Sequence, residues 1–226
     1  MILTLILVGD EHINDARPFI RMFSSKGWIV EILTDQPEKL KGIGYDNINL
    51  YQYNEKIFSY FEKLIFPIQI SKKHKTGVLY IDSSLLFATP KPFIESFKNC
   101  ESFLYYKNWP NGETLKEYKD DVYFSKIIEY FVTENFEEYG NLITILEWIY
   151  YIPYDTNKVD QLLYDIERIK PIFEYTSTIF KPHYNGIGNA EGIALSYVLN
   201  KNLIPIGKFS DFEFDFIRKN QYIKMI

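Results

Sequence analysis

Leu3 to Val8 is an unbroken apolar run that ends in Gly9-Asp10. That is the pattern of a strand buried on both faces and followed by a turn. From Asn14 to Lys26 the period changes, and Phe19, Ile20 and Phe23 fall on one face of a helix. Asn14 or Asp15 can cap that helix and Gly27 can stop it. Trp28 to Asp35 reads as a second strand, which makes a β-α-β unit with a parallel, right-handed connection. A short strand over Ile48 to Tyr51 follows. Glu55 to Ile70 reads as a helix with Ile57, Phe58, Phe61, Leu64 and Ile65 on its apolar face, kinked or ended by Pro67. The stretch GVLYIDSSLLF, Gly77 to Phe87, then carries a third buried strand that ends at Asp82.

Beyond it the pattern predicts a short helix in TPKPFIESFKN, with Pro near its start, and a strand over Ser102 to Tyr106. Asp120 to Val132 has Phe124, Ile127, Ile128 and Phe131 in helical phase. Leu142 to Ile149 fits a helix, although WIYYIP also fits a strand. Val159 to Ile169 is an amphipathic helix, TSTIF (Thr176 to Phe180) a strand, and KPHYNGIGN a loop before the helix AEGIALSYVLN. FSDFEFDF alternates like an edge strand. No repeat, linker or low-complexity segment divides the chain, so a single α/β domain over residues 1–226 is expected.

Composition narrows the classes. The 226 residues are 46% hydrophobic and 18% aromatic, enough for one packed core and unlike a disordered chain. Thirty acids against 25 bases argue against a broad nucleic-acid surface. The one cysteine, Cys100, excludes an internal disulfide and a cysteine zinc site, and FKNCES gives it no neighbouring histidine. MILTLILVGD is too short to span a bilayer and lacks a secretory leader's basic start and cleavage site. A soluble, cytoplasmic protein without a membrane partner is the expectation; the AT-rich codon character suits a phage or small-genome bacterium.

Three strand ends finish on acids: Gly9-Asp10, Thr34-Asp35 and Asp82-Ser83-Ser84. Ligands of open parallel sheets bind beyond the carboxyl ends of the strands, so these acids form a site if their strands are neighbours. GDEHIND has only Gly9 and lacks the dinucleotide fingerprint, and no P-loop is present. His12 lies close after the first strand. Late in the chain, Gly186, Gly188 and Gly192 surround a helix start at Glu191, with His183 before it. Such a start offers free N–H groups to an anion, while an acid there is also what the helix dipole favours. SKKHKTG, Ser71 to Gly77, lies about six residues and roughly 20 Å from Asp82 and reads as a solvated turn. KNWPNGE is a turn-rich loop with Trp109 exposed or stacking.

GVLYIDSSLLF resembles the strand and DxD element of GT-A glycosyltransferases over Val78 to Leu86, with Ser84 in place of the second acid. HYNGIGNAEGIALSYVL is more loosely similar to the late Gly-rich loop and acid-bearing helix of that family. The resemblance implies a Rossmann-like GT-A fold with a mostly parallel sheet. It implies a hexosyltransferase-type activity from a nucleoside-diphosphate sugar, a UDP-sugar first, to an acceptor hydroxyl on a glycan, a protein or a modified nucleic-acid base. Asp82 and Ser84 would contact the diphosphate and a Mn²⁺ or Mg²⁺ ion. Gly9, Asp10 and Asp35 would sit near the nucleoside, His183 near phosphate or metal, and Glu191 would orient donor sugar or acceptor. Retaining and inverting chemistry both stay open, with the Tyr-Ile-Asp style nearer to retaining members. Two alternatives stand beside this: a non-catalytic nucleotide-sugar-binding protein on the same fold, and another Rossmann-like nucleotide-dependent enzyme using Asp10 and Asp82.

Overall fold

The computed structural model describes residues 1–83, 85–87, 100–105, 122–133, 142, 149–180, 186–187, 191–208 and 216–218. In chain order the elements are β1 (Ile2–Leu7), α1 (Asp10–Ser25), β2 (Ile29–Thr34), β3 (Ile48–Gln52), β4 (Phe58–Ser59), α2 (Glu62–His74), β5 (Val78–Ile81), β6 (Leu85–Phe87) and β7 (Phe103–Tyr105). Then come α3 (Val122–Thr133), β8 (Ile149–Ile152), α4 (Val159–Phe180), β9 (Gly186–Ile187), α5 (Glu191–Lys201), β10 (Ile206–Lys208) and β11 (Phe216–Arg218). A seven-stranded mixed sheet runs in the order β10-β7-β8-β5-β1-β2-β3. Only β8 is antiparallel to its neighbours, β5 and β7; the other pairings of this sheet are parallel. The fold is therefore α/β and Rossmann-like, as the run of β-α-β patterns predicts. Two small pairs, β6 with β11 and β4 with β9, lie outside the main sheet.

Strand alternation divides the core into two layers. Leu3, Leu5 and Leu7 of β1 join Val30 and Ile32 of β2 and the inner face of α1, where Phe19, Ile20 and Phe23 are buried as the helical phase predicts. Ile2 and Ile6, with Val78 and Tyr80 of β5, face the layer of α2, α3, α4 and α5. Because β5 is central and buried on both faces, all four of its residues are apolar or aromatic.

Several boundaries differ from the sequence expectation. Helix α1 starts at Asp10, four residues early, because Gly9 at φ 94° lets the chain turn straight out of β1 into the helix. Asn14 and Asp15 consequently lie inside it and cap nothing. Its end is as expected: Gly27 takes φ 77°, Gly27 N–H donates to Ser24 O and Trp28 N–H to Phe23 O, which is a Schellman turn. Residues 55 to 61 are not helix; Phe58 and Ser59 pair with β9 instead, and Ile57 is 60% exposed. Pro67 lies within α2 rather than ending it. Ile149 opens β8, so the strand reading of IYYI prevails there, and 143–148 lie outside the described residues. Thr176 to Phe180 continues α4 rather than forming a strand, since α4 runs unbroken past Pro171. The helix expected in TPKPFIESFKN, the loop of Trp109 and most of FSDFEFDF also lie outside the described residues.

A buried carboxylate ties α4 to the end of α5. Asp165 accepts from Gln161 Nε2 at 3.1 Å, Asn202 Nδ2 at 2.9 Å and Lys201 Nζ. Burial opposes its ionisation, but these three donors outweigh burial and hold its carboxyl below the usual range. A lowered folded pKa gives stability that is full above the unfolded carboxyl pKa of about 4 and is lost as pH falls through the folded value. Urea unfolding of wild type and Asp165→Asn at stepped pH is expected to show a stability gap at pH 7 that shrinks below about pH 4. A gap that stays constant with pH would rule this out.

Candidate functional site

The three acid-tipped strands are neighbours. β5, β1 and β2 lie side by side and parallel, so their carboxyl ends share one edge of the sheet. The three acids nevertheless have different surroundings. Asp35 turns toward the β1–α1 turn and accepts from Gly9 N–H at 3.1 Å through Oδ1. Asp10 sits on the first turn of α1, 64% exposed at its side chain, and pairs with Lys39. Hydrogen bonds from Lys39 and Gln36 hold its carboxyl below the usual range. Asp82 alone joins a buried cluster.

The alternation that builds the two core layers places that cluster. Val78 and Tyr80 face α2, while Leu79 and Ile81 face α1. One step beyond the strand, Asp82 meets Lys63 at the start of α2, with Lys63 Nζ 2.8 Å from Asp82 Oδ2. The next residue, Ser83, meets α1: its Oγ is 2.8 Å from His12 Nδ1. The first helix thus brings His12 to the residue beside Asp82, where the sequence put it within reach.

Glu191 closes the cluster from the far end of the chain. It opens α5, is 1% exposed, and its Oε1 is 3.6 Å from Lys63 Nζ. One ammonium, itself 12% exposed, therefore stands between two carboxylates that are distant in sequence. Low exposure strengthens such contacts, because little water screens them.

Lys63 was not singled out by the sequence, because a helix from Glu55 puts it mid-helix, where a lysine is ordinary. The structure places it in the first turn of α2, where a cation opposes the helix dipole. Its placement has a local cause. Pro67 has no N–H to donate to the carbonyl four residues back, and that carbonyl, Lys63 O, accepts instead from the Tyr150 hydroxyl of β8. Tyr150 stacks between Tyr80 at 4.8 Å and Phe103 at 5.5 Å, so the start of α2 is anchored to the middle of the sheet. The ammonium lies over the Tyr60 ring, 5.0 Å from its centroid.

SKKHKTG is largely solvated, as expected, and turns at Lys75-Thr76, but its first four residues are the end of α2. Lys73 and His74 end α2 over β2, where His74 Nε2 pairs with the fully buried Glu31 and Lys73 Nζ is 3.7 Å from it. Asn49 Nδ2 adds a bond to Glu31 at 3.0 Å. It does lie far from Asp82, as its place before β5 requires. At Gly77, which joins α2 to β5, a Cβ would collide with the Tyr151 hydroxyl and ring edge, so a larger residue there requires the Tyr151 side chain to move. Ser84 and His183 lie outside the described residues.

The described cluster thus brings two carboxylates and one ammonium together at the carboxyl edge of the sheet, with both Glu191 oxygens buried and Asp82 nearer the surface. Among the described residues, no three His, Cys, Asp or Glu side chains gather as a metal-ligand group. No helix of the described residues is long and apolar enough to cross a membrane.

No protein-family model matches the chain, and no curated protein sequence does. Among solved structures, the chain is similar to mouse xyloside xylosyltransferase 1 in its apo form. The identity is 10% and the TM-score 0.47, over 92% of this chain and 84% of that one.

Proposed function

We propose that the chain is a glycosyltransferase, a GT-A-like domain that moves a sugar from a nucleoside-diphosphate sugar to an acceptor hydroxyl. The observation that carries this reading is the meeting of Asp82 and Glu191 on one ammonium at the carboxyl edge of the sheet. These are the two acids that the DxD-like stretch and the late Gly-rich helix start single out. Asp35 and the Gly9 turn receive the nucleoside, with Asp10 at the rim. Asp82, with Ser83 and His12 beside it, receives the diphosphate end of a UDP-sugar or a related donor, and Ser84 and His183 belong to the same end. Glu191, whose carboxylate oxygens are buried behind Lys63, orients the donor sugar or acceptor through that ammonium. The acceptor is a glycan, a protein or a modified nucleic-acid base.

The resemblance also implies Mn²⁺ or Mg²⁺ on Asp82. A divalent ion of this kind wants several hard oxygen ligands at short distance. The described surroundings of Asp82 do not fit it: Lys63 already holds Oδ2, and Ser84 replaces the second acid of the motif. No step of transfer is assigned to a metal here. That same serine favours a second reading, in which the chain binds a nucleotide sugar without transferring it.

Isothermal titration of UDP-, GDP-, TDP- and CMP-sugars, followed by donor hydrolysis assays, tests both. Asp82→Asn is expected to lower hydrolysis by about a hundredfold, since it misplaces the donor rather than unfolding the sheet. Tight binding without hydrolysis would select the second reading, and absence of binding by every donor would sink both.

A further inference from the structure

At the carboxyl edge of the sheet the positive charge comes from the chain itself. We propose that Lys63 is the resident cation of the site: its ammonium stands where the GT-A resemblance would place a divalent ion, and nucleotides bind at Asp82 without one. This inference rests on the glycosyltransferase reading above.

Three observations carry it. The first is position. Lys63 Nζ is 2.8 Å from Asp82 Oδ2 and 3.6 Å from Glu191 Oε1, so it occupies the bridging place between two carboxylates that a shared cation would take. A divalent ion drawn to those same oxygens would have to sit against an ammonium, and like charges at such range repel strongly where water is scarce. The second is fixation. The Lys63 carbonyl is held by Tyr150, and the ammonium lies over the Tyr60 ring. The side chain is thereby directed at the carboxylates, and swinging it away to admit a metal would break its contacts with both of them. The third is charge. With Ser84 where the family motif carries a second acid, the strand end supplies one carboxylate, and Glu191 supplies the other. An ammonium offsets half of that pair's charge, while Ser83 and His12, bonded to each other at 2.8 Å, stand beside Asp82 on the α1 side.

The test uses the full chain freed of metal with EDTA. Titrations with UDP, GDP, TDP and CMP are run in EDTA and again in millimolar Mn²⁺, and Mn²⁺ alone is titrated and followed by electron paramagnetic resonance. Wild type is expected to bind its nucleotide with affinities that agree within about threefold between the two buffers. In Lys63→Ala the two carboxylates lose their ammonium, and Mn²⁺ alone is expected to bind at least about tenfold more tightly than to wild type. Its melting temperature is then expected to rise with Mn²⁺ when that of wild type does not.

A nucleotide that binds wild type only with Mn²⁺ overturns this inference and leaves the glycosyltransferase reading standing. So does Mn²⁺ binding to wild type that disappears in Asp82→Asn. Failure of every nucleotide in both buffers overturns the glycosyltransferase reading, and this inference with it. The wild-type arms need no variant, so a Lys63→Ala chain that fails to fold does not spare the inference from refutation.

Discussion

Lys63→Met is expected to lower the unfolding free energy by about 3–5 kcal/mol, the range for a buried ion pair that loses one partner. Methionine keeps most of the apolar stem, so packing is nearly preserved and the change isolates the charge. The cost arises because Asp82 and Glu191, both buried, would share their surroundings without the ammonium that now lies 2.8 Å and 3.6 Å from them. Two carboxylates left together repel, and each retains its desolvation penalty. Neutralising them in Lys63→Met/Asp82→Asn/Glu191→Gln is therefore expected to recover most of the loss. Urea unfolding of the single and triple variants measures this. A loss under about 1 kcal/mol in the single variant would show that the cluster behaves as an exposed pair, contrary to its burial.

His74→Leu is expected to be the second large loss, about 3 kcal/mol, although it lies at the other end of the sheet. Glu31 sits on β2 beneath the last turn of α2 with no exposed surface, and His74 is its close partner. Lys73 is half-exposed and 3.7 Å away, so it can replace little of that contact. Asn49 contributes one neutral bond at 3.0 Å. Pairing His74→Leu with Glu31→Leu removes the stranded carboxylate, and the double variant is expected to be more stable than His74→Leu alone, because apolar residues of similar volume can replace a buried polar pair. Denaturant midpoints for the four-member cycle decide the matter, and additive losses would refute the coupling.

Both predictions concern groups whose importance the linear pattern hides to different degrees. Asp82 was legible because an apolar run of period-independent burial must end somewhere, and its first polar residues mark the strand end. Glu191 was legible for a similar reason, since three glycines around a helix start are costly unless the backbone needs room there. Lys63 was not legible in the same way. EKLIFP reads as an ordinary helix segment until one knows that Tyr150, on a strand far along the chain, supplies the hydrogen bond that Pro67 withholds. Glu31 was hidden too, because a charged residue inside β2 looks like an outward-facing position of a half-exposed strand. Its side is buried only because the end of α2 folds over it.

The element boundaries follow the same division. The β-α-β opening, the strand into Asp82 and the helix from Glu191 were carried by local periodicity, and the structure contains them. The errors fell where two local readings competed. The stretch from Glu55 has helical phase, yet Phe58 and Ser59 gain backbone hydrogen bonds from β9, which lies far away in sequence. TSTIF has β-branched residues, yet it continues a helix already stabilised by the packing of Phe173 and Ile169 against the core.

By itself, the sequence determined the alternation of strands and helices, the two-sided burial of the central strands and the three acids at strand ends, because burial and backbone period are local properties of a few adjacent residues. Only the tertiary structure decided that β5, β1 and β2 are neighbours. It also decided that Asp35 and Asp10 turn to Gly9 and Lys39 while Asp82 turns inward, and that Lys63 joins Asp82 to Glu191. Those outcomes depend on which distant segments exclude water from one another, and a charged side chain finds its partner only after that exclusion has set the distance and the screening between them.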